Sequence, residues 1–105
     1  MYFHVAADAP GDGAEMKLHN SNYVFIEVSS TGGQVAFAGK FQGKVFNDST
    51  YIDIFAVKSS SGDVDEDFVA DGTYKLDVFG LNYVRAKLDS LTNGTVTVRG
   101  KEIRF

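Results

Sequence analysis

From Asp71 to Arg99 the chain alternates apolar and polar residues in three short runs. Tyr74, Leu76 and Val78 alternate with Lys75 and Asp77; Val84, Ala86 and Leu88 with Arg85, Lys87 and Asp89; Val96 and Val98 with Thr95, Thr97 and Arg99. A period of two sends successive side chains to opposite faces, which describes strands with one face on a core and the other in water. Gly80 and Thr92-Asn93-Gly94 separate the runs. No stretch carries the helical period of about 3.6 residues. The expectation is an all-β chain: a single antiparallel β-sandwich, jelly-roll-like or immunoglobulin-like, of about seven to nine strands.

The Asn93-Gly94 pair reads as a hairpin turn. A two-residue loop would set Leu88 opposite Arg99, placing apolar and charged side chains on one face. A three-residue loop, Thr92-Asn93-Gly94, sets Leu88 opposite Val98 and Ser90 opposite Val96, with Gly94 in the left-handed position. The same register puts Lys87 opposite Arg99 and Arg85 opposite Lys101. Like charges facing each other repel, so this basic stripe needs acidic neighbours or an acidic partner.

Further strands are expected at Tyr2–Ala6, at Tyr23–Val28 with Val24, Ile26 and Val28 on one face, and at Val35–Phe41 with a bulge at Gly39. Gln42-Gly43-Lys44 reads as a turn, and Met16–His19 as a short strand or connection. Tyr51–Val57, apolar on both faces apart from Asp53, reads as a central strand, and Ser59–Asp67 as a long polar loop. Val24, Ile26, Phe37, Ile52, Ile54, Leu76, Val78, Val84, Leu88, Val96 and Val98 are the expected core. Asp8-Ala9-Pro10-Gly11-Asp12-Gly13 is the strongest turn cluster and contains the only proline. Residues 1–13 are therefore a candidate N-terminal arm on a domain spanning 1–105.

The 105 residues suit one domain, and 44% hydrophobic with 23% charged residues describes an ordinary globule. The absence of cysteine removes disulfides, thiol catalysis and thiolate metal sites. A net charge of −4 argues against a generic nucleic-acid binder. No apolar run approaches the roughly 18 residues of a membrane span. The start, MYFHVAADAPG, lacks the basic and apolar regions of a signal peptide, so synthesis without export is expected. Charge is unevenly distributed: acids cluster between Asp63 and Asp77, while Arg85, Lys87, Arg99, Lys101 and Arg104 are half of the ten lysines and arginines.

Asp63-Val64-Asp65-Glu66-Asp67 opens like a calcium loop, but Phe68 stands where glycine is needed and Tyr74 where the bidentate glutamate belongs. A solvated loop is the better reading. His4 and His19 have no metal-ligand spacing around them. No nucleophile elbow or phosphate-binding glycine pattern occurs. No catalytic residue, cofactor or metal site is expected. Tyr2, Tyr23, Phe25 and Tyr51 are candidate exposed aromatics, suited to a subunit interface or, less readily without tryptophan, a sugar platform.

Two segments resemble a small all-β module of tailed-bacteriophage virion proteins. The first is Phe37-Ala38-Gly39-Lys40-Phe41-Gln42-Gly43-Lys44-Val45-Phe46. The second runs from Asp71-Gly72-Thr73-Tyr74-Lys75-Leu76-Asp77-Val78 through Gly80 and Val84-Arg85-Ala86 to Leu91-Thr92-Asn93-Gly94-Thr95-Val96-Thr97-Val98. Gln42 departs from the acidic residue common in that family, and the N-terminal third has no counterpart. The resemblance implies a non-enzymatic structural role as head decoration, head fibre or tail component. The expected function is capsid decoration: binding the major capsid protein and stabilising the assembled head in the virion, with neither nucleic acid nor membrane as partner. A homotrimer is expected, with a dimer next. The alternative is a carbohydrate- or receptor-binding module of a fibre or tail. The expected interface comprises Tyr2, His4, Tyr23, Phe25, Arg85, Lys87, Arg99 and Lys101.

Overall fold

A computed structural model describes every residue except 60, 63, 66, 104 and 105. The described elements are strands: β1 (Tyr2–Ala7), β2 (Glu15–Lys17), β3 (Tyr23–Thr31), β4 (Ala36–Lys44), β5 (Ile52–Ile54), β6 (Ala56–Lys58), β7 (Val64–Asp65), β8 (Asp67–Phe68), β9 (Gly72–Asp77), β10 (Tyr83–Thr92) and β11 (Thr95–Ile103). They form two antiparallel sheets. One has the order β1-β11-β3-β9-β6-β7; the other runs β2-β10-β4-β5, with β8 also on β4. The sandwich is as expected, but it has more strands. The expected central strand Tyr51–Val57 is two: β5 ends on one sheet, the chain crosses at the exposed Phe55, and β6 begins on the other. The polar segment after it also supplies the short strands β7 and β8.

The inward faces meet in a core of Val24, Ile26, Val28, Leu76, Val78, Val96 and Val98 from one sheet and Phe37, Phe41, Phe68, Val84, Ala86 and Leu88 from the other. Phe41 stacks on Phe68 with ring centroids 4.7 Å apart and tilts against Tyr74 at 5.6 Å, so aromatic contacts bridge the layers. Gly39 lies under the Phe68 ring, and any Cβ there would collide with it. The irregularity expected at Gly39 falls on its partner strand, between Leu88 and Ser90. Ile52 is the exception among the expected core residues, at 58% exposed. It sits on the edge strand opposite Gly43, where Leu81 already fills the adjacent space.

Among the described strands only the β4–β5 and β6–β7 connections stay within one sheet; the rest cross the sandwich. The expected hairpin at Asn93-Gly94 is therefore a corner. β10 pairs with β2 and β4, whereas β11 pairs with β1 and β3. Leu88 and Val98 both point inward, but from opposite layers. Asn93, not Gly94, takes the left-handed conformation, with φ of 64°. Gly94 is required for room, since a Cβ there would meet Val35 and the Thr31 carbonyl.

The N-terminal residues belong to the sheet and do not form a separate arm. β1 pairs with β11, and Gly11 exchanges backbone hydrogen bonds with Leu88 at 2.9 and 2.8 Å, which docks the Asp8–Gly13 turn. Two register irregularities interrupt β1, and Ala6 has φ of 44°. Such bulges blunt an edge that its sparse charge would leave open.

Candidate functional site

The outer face of the six-stranded sheet can be read directly from its register. Lys101 lies opposite Phe25, Phe25 opposite Lys75, Lys75 opposite Val57, and Val57 opposite Val64. This row runs across the strands, with cations on both sides of an aromatic ring. The next row holds Tyr2, Arg99, Glu27 and Thr73. Phe25 is 39% exposed and Tyr2 49%. Arg99 places Nε and Nη2 each 2.8 Å from Glu27 Oε1, and this carboxylate raises the guanidinium pKa further. Lys75 Nζ rests 4.2 Å from the Tyr23 ring centroid. Among the described residues, neither Lys75 nor Lys101 has an acidic partner. A hollow of about 420 Å³ lies over this area, bounded by Met1, Tyr2, Phe25, Thr73, Arg99 and Lys101.

Five of the eight expected interface residues thus come together: Tyr2, Tyr23, Phe25, Arg99 and Lys101. The other three do not. Arg85 and Lys87 lie on the outer face of the opposite sheet, because β10 does not pair with β11, so the expected four-residue basic stripe does not exist. His4 is buried at 8% exposed, with Nε2 2.6 Å from the Ala86 carbonyl. The irregularity between Tyr2 and His4 turns both Phe3 and His4 inward, where strict alternation would bury only one. Lys75 belongs to the site but was not among the expected interface residues. It was visible only as the polar half of the β9 alternation.

The opposite outer face carries a linked network of paired charges. Tyr51 donates its hydroxyl hydrogen to Glu15, whose carboxylate also meets Lys44 Nζ at 3.3 Å. Arg85 lies 3.9 Å from the Tyr51 ring centroid, donates to Gln42 at 2.9 Å and meets Asp12 at 3.5 Å. Gln42 donates to Asp53 at 2.8 Å; Lys40 joins Asp53 and Asp67 at 3.7 and 3.5 Å. Burial and the bond to Glu15 push the Tyr51 hydroxyl up. That same bond, with Lys44 adding to it, holds Glu15 below its ordinary range despite partial desolvation. The bond from Gln42 and the charge of Lys40 do the same for Asp53. Every cation in this network already has a partner.

The acidic segment 63–67, expected to be a solvated loop, lies partly outside the described residues; Asp67 within it pairs with Lys40. Among the described residues, no group of three or more His, Asp or Glu side chains is placed to hold a metal ion.

A family model described as XepA matches residues 1–102. The SPBc2 prophage-derived protein YomS is similar in structure, with 23% identity and a TM-score of 0.84 over 95% of this chain and 87% of that one. The PBSX exported protein XepA is similar with 22% identity and a TM-score of 0.90, over 97% of this chain and 36% of that one. The chain thus spans about a third of the length of that protein. At these identities the likeness concerns the fold. No curated protein sequence matches.

Proposed function

The chain belongs to the XepA family, and we propose that it is a non-enzymatic phage structural protein that docks on an acidic surface through the outer face of its six-stranded sheet. The observation behind this is the Lys101–Phe25–Lys75 row, two cations without acidic partners among the described residues around an exposed aromatic ring, on a chain of net charge −4. Exposed aromatics are enriched in interfaces, and charges at the rim steer association with an oppositely charged partner. The prophage origin of the structural relative YomS supports a phage setting. The specific role we favour is decoration of the assembled head, by a homotrimer in preference to a dimer.

A second reading follows the PBSX relative, an exported protein, and puts this protein outside the virion. Fractionating a phage-producing culture separates the two. Decoration requires the protein to sediment with heads, to be released by salt, and to lose binding in a Lys75→Glu/Lys101→Glu double variant. Protein found only outside the particles, with no affinity for purified heads, would overturn the decoration role.

A further inference from the structure

A second hollow, of about 570 Å³, opens on the side of the sandwich between β2 and the end of β11. Lys17, His19, Lys101 and Glu102 line it, with Met16 buried at its base. It shares Met1, Gly100 and Lys101 with the hollow over Phe25, so the two form one track that bends around Lys101. Lys17, like Lys75 and Lys101, has no acidic partner among the described residues. Glu102, a carboxylate in the same hollow, forms a salt bridge with neither Lys17 nor Lys101 among the described residues. It accepts from Ser21 Oγ at 2.8 Å and the His19 amide at 2.9 Å, and His19 Nδ1 lies 3.1 Å away. Partial burial opposes its ionisation, but these bonds outweigh that and hold it ionised.

Lys101 and Lys17 line the joined hollows, and Lys75, set over the Tyr23 ring, continues the line beyond Phe25. Lys75 and Lys101 are separated by β3, two strand spacings or about 10 Å. An extended polyproline-like chain advances about 9 Å in three residues and returns its side chains to the same side. Carboxylates at every third position would match that separation. Phe25 lies between the two cations, and the hollow beside it is lined by Met1 and Tyr2 together with the paired Arg99 and Glu27, with Thr73 at the margin. It offers few neutral polar groups to sugar hydroxyls, which would lose hydrogen bonds on burial. Apolar residues between carboxylates suit it.

We infer that the track receives an extended acidic peptide of the partner, crossing Phe25 between Lys75 and Lys101 and turning into the side hollow to meet Lys17. This rests on the docking reading and adds to it the form of the partner segment and a second contact. The probe is a fluorescent peptide of about twelve residues with glutamate at every third position. A shuffled version carries the same glutamates in one block, and a truncated version is about five residues long. Anisotropy titrations use the full chain.

The spaced peptide should bind more tightly than the block version. Lys17→Gln should weaken the long peptide by about threefold to fivefold, the scale of one exposed ion pair, and leave the short one unchanged. Lys75→Glu should weaken both. Unchanged binding of the long peptide to Lys17→Gln, with Lys75→Glu still damaging, would overturn the extended track and leave docking standing. No effect of either variant would remove both. Tighter binding of heparin or of anionic lipid vesicles than of the spaced peptide would overturn the peptide assignment.

Discussion

The two outer faces of the sandwich use similar residues to opposite ends. On the five-stranded sheet Lys40, Lys44 and Arg85 are held by Asp12, Glu15, Asp53 and Asp67, and Gln42 and Tyr51 complete the links. On the outer face of the six-stranded sheet, among the described residues, Arg99 is matched by Glu27, while Lys75 and Lys101 around Phe25 have no acidic partner. A saturated network can stabilise its own fold but has little charge left to offer a partner. Open cations contribute little to folding and remain available for binding. The number of basic groups does not distinguish the faces; what distinguishes them is whether a carboxylate lies within reach.

The largest expected effects should not distinguish the faces. Leu88→Ala beneath the saturated sheet and Ile26→Ala beneath the open one should each cost about 2–5 kcal/mol in urea unfolding. Both side chains are essentially fully buried. A loss below about 1 kcal/mol at either site would mean that one layer does not share the core.

The next effect should separate them. Arg85→Ala removes the stack on Tyr51 and the bond to Gln42 and should cost about 1–2 kcal/mol. Lys101→Ala, with no acidic partner among the described residues to lose, should stay within about 0.5 kcal/mol of the parent. Equal losses would break the comparison.

A smaller effect should appear in acid. Glu15 and Asp53 are held below their ordinary values of 4.5 and 3.8. Their contribution is complete above those values and is lost as pH falls through the lower folded-state values. The melting temperature should drop as pH falls below about 4, modestly because both groups are exposed and solvent screens them. Tyr51→Phe removes the bond that chiefly depresses Glu15 and should shrink that drop. An unchanged acid profile in the variant would show that this bond does not act in solution. Among the smallest, Lys75→Gln gives up the exposed contact with the Tyr23 ring and should cost only about 0.5 kcal/mol at neutral pH, although the proposed docking depends on the same position.

The period-two runs determined which side chains face inward, because alternation follows from the strand backbone wherever the strand lies. Val24, Ile26, Leu76, Val84, Leu88, Val96 and Val98 are buried for that reason. The partner of each strand was not legible. Leu88 and Val98 are equally inward-facing whether β10 and β11 form a hairpin or lie in opposite layers, so the pattern could not separate a turn from a corner. Positions that break alternation were misread for the same reason. Ile52 is apolar, but Leu81 occupies the space it would need, and His4 is polar, but a bulge turns it toward the Ala86 carbonyl. The candidate site depended most on tertiary structure. Arg85 and Arg99 look alike in the sequence, yet one is locked against Tyr51 and Gln42 and the other lies on the open face. The pairing of β11 with β3 and of β3 with β9 brings Lys101, Phe25 and Lys75 into line from positions far apart in the chain. Side-chain direction is a local property of the backbone; a row of charges across three strands exists only once those strands have paired.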